Sequence, residues 1–338
     1  MSMRISIIVP VYNNPRDLPE CLSSIVASSL PDSEIIVVDD ASTDETPSVA
    51  AGMGVRVLRL EKNSGPGGAR NCGARHAQGD ILFFVDADVV IARGAIDRVK
   101  EIFEANPDLA AVFGSYDTRP RAQDIVSLYW NLRHHFVHQN GSSKASTFWA
   151  GCGAIRRRAF EEMGGFDEKR FPYPSIEDIE IGYRLRRGGH KILLDRSLQG
   201  THLKKWTLRS VVLTDITRRA IPWSRLILET GVAPDDLNLK RGQRASFVLV
   251  VLGCLFLGLS LLRIEMLGLS AAALLAVVVL NRNLYGFFFR QRGFLFAAAC
   301  IPLHLLYYLY SGLSYLYVWI TMRCRPRRRA VTGEDTRA

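Results

Sequence analysis

The chain has 338 residues, 48 % apolar and 22 % charged, which allows about two domains and a large core and excludes wholesale disorder. Glycine has no period, and the six cysteines form no CxxC pair or zinc-like spacing, so collagen-like and disulfide-stapled classes fall away and reduced thiols are expected. The net charge of +10 is no nucleic-acid signal: from Arg241 onward twelve arginines face only Glu265, Glu334 and Asp335, whereas residues 1–240 hold 31 basic and 30 acidic side chains, so the excess marks membrane flanks.

In chain order, Ile5–Val9 is expected to be a buried strand. The apolar run ahead of Pro10 is too short for a signal peptide, so a cytosolic N-terminal domain is expected. Leu18, Cys21, Leu22, Ile25 and Val26 give Asp17–Ser28 a helical stripe. Glu34–Val38 reads as a second strand ending in Asp39-Asp40, and Ser42-Thr-Asp-Glu45 as a capping box that starts the next helix. Val55–Leu60 is a third strand, Gly67–Ala77 a helix after a glycine-rich loop, and Ile81–Val85 a fourth strand ending in Asp86-Ala-Asp88. Such β-α-β-α alternation predicts a doubly wound, mostly parallel sheet that takes ligands at the carboxyl ends of its strands, where both acidic pairs fall. Residues 117–146 read as a polar, irregular insertion, and His134 and His138 within it as residues of a surface helix rather than a ligand pair.

Past Arg244 come three apolar stretches. Ala245–Leu262 carries no charge over 18 residues, about the minimum to cross roughly 30 Å of hydrocarbon; Leu267–Leu280 is shorter, and Phe294–Ile320 is long and broken by Pro302 and His304. Membrane insertion by two or three helices is expected. Arg323, Arg325 and Arg327–Arg329 favour a cytosolic tail, which three full crossings from a cytosolic domain do not deliver; a re-entrant or interfacial segment would reconcile the two. The expected layout is a catalytic domain at 1–205, juxtamembrane helices at 206–244, a membrane region at 245–322 and a basic tail at 323–338, giving a multi-pass protein of the cytoplasmic membrane.

Several clusters carry chemistry. Asp86 and Asp88 leave a buried strand at a turn where two carboxylates can converge on a hard cation. Asp39-Asp40 offers acceptors to a base or ribose, or caps the following helix. Asn63-Ser-Gly-Pro-Gly-Gly-Ala-Arg-Asn71 lets backbone approach a phosphate and presents Arg70, without the register of a dinucleotide fingerprint. Glu177-Asp178 sits in a helix's first turn, where carboxylates suit the dipole and where one of them can serve as a general base. Gly151-Cys-Gly153, beside Trp149, either lets an acceptor approach backbone or makes a tight turn. Lys204, Lys205 and Arg209 either bind an acceptor's phosphate or face lipid headgroups.

Taken in order, Pro10-Val-Tyr12-Asn13, Val38-Asp-Asp-Ala-Ser42, Asn63-x-Gly65-x-x-x-Ala-Arg-Asn-x-Gly73, Asp86-Ala-Asp88, Gly164-Gly-Phe-Asp-Glu168 and Glu177-Asp178 resemble family 2 glycosyltransferases of the GT-A fold, over residues 4–205. The resemblance implies inverting transfer from a nucleotide-sugar, most commonly a UDP-sugar, with a divalent Mg or Mn ion. It implies that Pro10, Tyr12, Asn13, Asp39, Asp40, Gly65, Arg70 and Asp86 bind the nucleotide, with Asp39 and Arg70 on the base. It places the metal on Asp86 and Asp88, with His202 in the position of a late metal-approaching histidine. Asp178 is the implied base and Glu177 its support, with Trp149, Gly151, Lys205 and Trp206 toward the acceptor. His202-Leu-Lys-Lys-Trp206 departs from the Q-x-x-R-W of processive synthases and so points to single transfers. The expected partners are a nucleotide-sugar, a lipid-linked or glycan acceptor and membrane lipid, in cell-envelope glycan synthesis. A nucleotidyltransferase of similar fold would not need Glu177-Asp178, and a scaffold that had lost catalysis would not need all of Asp86, Asp88 and Asp178.

Overall fold

The computed structural model describes residues 3–233 and 235–324. Its first half alternates as the apolar runs predict: β1 (Ile5–Val11), α1 (Leu18–Ser28), β2 (Ser33–Asp39), α2 (Thr46–Gly52), β3 (Arg56–Arg59), α3 (Gly65–His76) and β4 (Ile81–Val85). There follow β5 (Val89–Ile91), α4 (Ala95–Ala105), β6 (Leu109–Tyr116), α5 (Ile125–Gln139), β7 (Cys152–Arg156), α6 (Arg157–Glu162), α7 (Glu177–Arg187) and β8 (Lys191–His202). One eight-stranded sheet runs β3-β2-β1-β4-β7-β6-β8-β5. Strands β1 to β4 are mutually parallel, as expected, but β7 enters antiparallel between β4 and β6, and β5 closes antiparallel on β8, so the sheet is mixed.

Strands β1 and β4 are buried along their whole length, as continuous apolar runs in a two-sided sheet must be. On one face Leu18, Cys21, Leu22 and Ile25 of α1 pack with Val99, Ile102 and Phe103 of α4; on the other Ala69 and Cys72 of α3 pack with Phe160 and Phe166. Val26, counted in the α1 stripe from sequence, lies off it and is exposed.

Two local expectations are corrected. Ser42–Glu45 forms no capping box: Ser42 Oγ accepts the Asn13 N–H (2.9 Å), Asp44 Oδ1 accepts the Thr46 N–H (3.0 Å), and α2 starts only at Thr46, ahead of Pro47. Nor is 117–146 an irregular insertion. Asp124 caps α5 by accepting from the Ser127 N–H (3.0 Å), and the helix buries Leu128, Tyr129, Trp130, Leu132 and Arg133. Its buried face also holds polar side chains, among them Asn131, whose Nδ2 donates to the Asp117 carbonyl (2.8 Å), which is why its composition reads as surface.

Beyond β8, α8 (Leu208–Thr214), a π-helical turn (Asp215–Ala220) and α9 (Ile221–Thr230) form a continuous rod leading to α10 (Arg241–Leu259), α11 (Met266–Leu280) and α12 (Arg282–Cys324). Gly293, at φ +80°, breaks α12. Helices α10 and α12 are long and apolar enough to cross a membrane; α11 is shorter. Leu252, Leu255, Leu257, Leu275 and Leu295 are exposed on these helices, a surface that water disfavours and lipid accepts. Polar groups knit the helices inside: Asn281 Nδ2 donates to Ser246 Oγ (3.0 Å) and the Tyr308 hydroxyl to Asn281 Oδ1 (2.8 Å). Of the arginines expected to orient the tail, Arg325 and Arg327–Arg329 lie outside the described residues.

Candidate functional site

The carboxyl ends of β1 and β4, the glycine-rich start of α3 and the first turn of α7 open onto one cavity of about 1360 Å³, which continues past the π-helical turn to α10 and α12. Its wall includes Pro10, Tyr12, Asp40, Gly65, Arg70, Asp86, Asp88, Trp149, Glu177, Asp178, His202 and Trp206. Two acidic clusters roughly ninety residues apart in sequence therefore share one cleft.

Arg70 joins them. Its two terminal nitrogens reach Asp86 Oδ1 (2.6 Å) and Glu177 Oε1 (2.9 Å), and its guanidinium lies 5.6 Å from the Phe166 ring centroid. Burial disfavours the cation, but Asp86, Glu177 and Asp178 outweigh that and hold it charged. The neighbouring Asn71 pins the loop that carries Phe166, donating to the Phe166 carbonyl (2.8 Å) and Glu168 Oε2 (2.9 Å) and accepting the Phe166 N–H (2.9 Å). The Ala-Arg-Asn and Gly-Gly-Phe-Asp-Glu motifs thus build one support for the bridge. The base contact implied for Arg70 is corrected: the side chain is only 4 % exposed and both its terminal nitrogens are engaged by carboxylates.

Asp178 accepts from the Ala150 N–H (3.2 Å) and the Ile179 N–H (2.8 Å). Burial, then the neighbouring Glu177 charge, push its carboxyl up to about 7, against the pull of Arg70. A carboxylate poised there both exists and accepts protons near neutral pH, as a general base must. Asp88 goes the other way: burial raises it, but the His202 hydrogen bond and charge, with Lys204, hold it below the usual carboxylate range. Burial takes Asp40 up to about 6, against the pull of the Ser64 N–H (2.7 Å), through which it fixes the glycine-rich turn.

A divalent cation would find Asp88 and His202 here, with Asp88 Oδ2 3.7 Å from His202 Nε2 on the cavity wall. The carboxylate suits Mn or Mg and the imidazole a transition ion such as Mn, and the missing donors are of the kind a diphosphate brings, so these two residues fit a divalent ion. The expected trio is corrected, however: among the described residues no three His, Cys, Asp or Glu side chains gather as a metal-holding group, because Asp86 turns onto Arg70. His202 is also stacked on Tyr116 (ring centroids 4.3 Å apart).

Five other assignments change or sharpen. Asn13 is off the wall; its N–H bonds Ser42 and its Oδ1 accepts the Thr43 N–H (2.9 Å), so it stitches two loops together. Asp39 is fully buried behind a separate recess of about 390 Å³, where its Oδ1 accepts the Ser42 N–H (3.2 Å) and its Oδ2 is ion-paired with Arg59 Nε (3.3 Å), so it supports the Ser42 and Arg59 that line the recess. Gly151 stands behind the wall, its carbonyl accepting the Asp86 N–H (3.2 Å). Lys205 is exposed and off the wall; Lys204 is the lysine on it, with Nζ 4.3 Å from the Trp206 ring centroid. His134 and His138 are not on a surface helix: their rings lie 4.0 Å apart in the cavity wall beside Trp149, and burial lowers both below the usual histidine range, His138 to about 4.

Sequence reasoning missed Tyr116, Trp130, Arg133, Arg218 and Arg219, all on the wall. The one available signal was the i, i+3 pair Trp130/Arg133, meaningful only once α5 is a helix. Gly153 of β7 shows how tightly the wall is built. A Cβ there would sit 2.2 Å from the Trp149 carbonyl oxygen. Gly153→Ala should therefore cost about 1–3 kcal/mol, read as a lower apparent Tm in detergent, since backbone rather than a flexible side chain must yield.

The family described as Glycosyl transferase family 2 matches residues 6–164. Glycosyltransferase GlyA of Streptococcus pneumoniae is 36 % identical over 233 residues, 62 % of this chain and 32 % of its own length. The poly(ribitol-phosphate) beta-N-acetylglucosaminyltransferase TarS of Staphylococcus aureus is 35 % identical over 118 residues, 32 % of this chain and 21 % of its own. The chain thus spans a third or less of the length of these two relatives. In fold it is similar to the mannosyltransferase PcManGT of Pyrobaculum calidifontis, solved with GDP-Man and Mn2+, at TM-score 0.58 and 21 % identity, covering 94 % of this chain and 88 % of that one. It is also similar to GalNAc-T7, solved with UDP, GalNAc and Mn2+, at TM-score 0.51 and 17 % identity, covering 67 % and 48 %.

Proposed function

We propose, for a chain whose residues 6–164 match glycosyl transferase family 2, that it is a membrane-anchored inverting glycosyltransferase moving a sugar from a nucleotide-sugar to a hydroxyl of a lipid-linked acceptor. The observation that carries this reading is the single cavity onto which Asp86, Asp88 and Asp178 all open and which runs on to the two long apolar helices. A nucleotidyltransferase would leave the Asp178 side of that cavity without work.

In this reading the base of the donor enters the recess lined by Ser42 and Arg59, both held from behind by Asp39. Its phosphates lie along the glycine-rich start of α3, and Asp88 and His202 would hold the divalent cation. That cation, when bound, offsets the negative charge that develops on the departing diphosphate. Asp178 takes the acceptor's proton as its oxygen forms a bond to the anomeric carbon. The bond from that carbon to the diphosphate oxygen breaks, and the nucleoside diphosphate leaves with the electron pair. Attack opposite the leaving group inverts the centre, and one carboxylate suffices, unlike the flanking pair of a glycoside hydrolase. Glu177 and Arg70 set the charge around the base. Trp149 and Trp206 supply apolar faces on the acceptor side. The solved relatives in fold hold GDP-Man or UDP with Mn2+, which supports a nucleotide donor and a divalent ion; a UDP-sugar is our choice within that class.

The test is a thermal-shift panel of nucleotide-sugars with and without Mn. Wild type should respond to one base class, and Mn should strengthen the response. In Asp88→Ala the Mn-dependent part should vanish, with calorimetric UDP affinity falling by about tenfold or more, because a charge-assisted contact is lost. Equal affinity with and without Mn in both proteins would refute the cation assignment.

A further inference from the structure

Between the catalytic end of the cavity and its membrane end lies a neck lined by Arg133 of α5, Arg218 and Arg219 of the π-helical turn, and Lys204. Aromatic faces hold these cations. The Arg133 guanidinium carbon sits 3.6 Å from the Tyr307 ring centroid and 4.8 Å from that of Trp130. Arg219 sits 5.1 Å from Trp130, Arg218 4.9 Å from Tyr173, and the Lys204 ammonium 4.3 Å from Trp206. A cation over a ring is fixed in place, yet an arginine so held keeps in-plane N–H donors for an anion.

Among the described residues a single carboxylate is ion-paired with any of these four cations. Asp215 bonds Arg219 (2.9 Å) and accepts from the Tyr310 hydroxyl (2.5 Å), tying the turn to α12. Arg133 has no such partner among the described residues. It is 6 % exposed, its one hydrogen bond is a 3.3 Å contact to Asn238 Oδ1, and its buried NH1 group has none. A buried guanidinium donor left unsatisfied beside a cavity is expensive unless an anion fills it. The π-helical turn strengthens the pattern: its wider backbone brings the consecutive Arg218 and Arg219 both onto the wall. Beyond the neck the wall turns apolar, with Phe247 and Val248 of α10 and Tyr315 and Leu316 of α12; the last three are partly open to the exterior.

We propose that this neck is a phosphoryl-binding subsite, and that the acceptor is an amphiphile whose phosphate or diphosphate is clamped by Arg133 and Arg219 while its apolar chain leaves between α10 and α12. This inference rests on the transferase reading and names the substrate class for the acceptor half of the same cavity. The clamp explains why the neck is cationic although the neighbouring catalytic end gathers carboxylates. It also gives Asp215 and Tyr310 a positioning task, since their bond sets Arg219.

The experiment uses the full chain in detergent micelles and follows quenching of tryptophan fluorescence, with Trp130 and Trp206 in the neck as reporters. The probes are a long-chain polyprenyl phosphate, the polyprenol of equal length, phosphatidylglycerol and inorganic phosphate. Polyprenyl phosphate should bind saturably and at least about tenfold more tightly than polyprenol. Arg133→Ala should erase that margin and Arg133→Lys keep part of it. Should Arg133→Ala fail to fold, the double variant Lys204→Gln/Arg218→Gln, whose wild-type side chains are exposed, should still shrink the margin severalfold. Equal binding of polyprenol and polyprenyl phosphate overturns the proposal. So does phosphatidylglycerol matching the polyprenyl phosphate, which reveals a general anionic surface, or inorganic phosphate matching it, which reveals a free-phosphate site. UDP with Mn, titrated into the same wild-type protein, keeps the two readings apart: no nucleotide binding defeats the transferase reading, whereas normal nucleotide binding with no phosphate margin defeats this subsite alone.

Discussion

Asp178→Asn should lower sugar transfer by about 10²–10⁴-fold, the range expected when a positioned base is removed, while leaving nucleotide and Mn binding within about twofold of wild type. Asn keeps the volume and one acceptor oxygen for the Ala150 N–H, so the wall should stay in place. The pH dependence adds a second reading. Burial and Glu177 put the Asp178 carboxyl at about 7, so kcat/KM of the wild type should climb with pH through that value as the base ionises, and the variant's residual rate should be flat there. Stability moves the opposite way. A carboxyl raised in the folded state holds its proton more tightly than in the unfolded chain, so its contribution is fully present below the unfolded value near 4 and is lost as pH rises through about 7. Asp178→Asn should therefore melt above wild type at pH 8, with the gap narrowing as pH falls below 7 and closing near pH 4. A more stable, inactive protein is the signature of a carboxylate retained for chemistry. Should transfer survive in the variant, the attacking oxygen arrives already ionised, as a phosphate oxygen does, and Asp178 is not the base.

What was legible in the sequence follows from how each feature is encoded. Strands β1 and β4 are buried on both faces, so they appear as unbroken apolar runs, and the acids at their ends stand out against them. The Glu177-Asp178 pair is likewise legible, because its helix begins at that step. The mixed half of the sheet is not: nothing in Cys152–Arg156 says that it runs antiparallel between β4 and β6, because that is decided by partners far along the chain. Helix α5 reads as an irregular stretch because its buried face mixes Asn131, Arg133 and His138 with the apolar Leu128, Tyr129, Trp130 and Leu132, which blurs the helical stripe. Lys204 and Lys205 differ only in phase after the strand ends at His202, so one residue of register decides which faces the cavity. The roles of Asn13 and Arg70 turned for a related reason. A motif marks which residues matter, whereas the partner of each side chain is a tertiary fact.

Arg70→Gln should destabilise the protein by about 3–5 kcal/mol, the cost of removing one member of a buried ionic cluster and leaving its partners uncompensated. The cost lies in what is left behind. Arg70 is the cation between Asp86 and Glu177, at 2.6 and 2.9 Å, and Glu177 has a side-chain exposure of only 6 %. Without it, Glu177 and the adjacent Asp178 face each other as like charges in a poorly solvated wall. At roughly 2–4 °C per kcal/mol for a domain of 150–250 residues, apparent Tm should drop by at least about 6 °C. Arg70→Lys should recover only part of this, because one ammonium cannot present the planar fork that spans two carboxylates. The adjacent acids should respond as well: with the cation gone, Asp178 keeps only the Ala150 and Ile179 N–H bonds to pull its carboxyl down, so the pH–rate profile should move to higher pH in whatever activity remains. A residue that merely touched the base of the donor would behave differently, with weaker nucleotide binding, an unchanged melt and an unmoved pH profile. That outcome would show that the Asp86–Arg70–Glu177 bridge does not hold the two acidic clusters together.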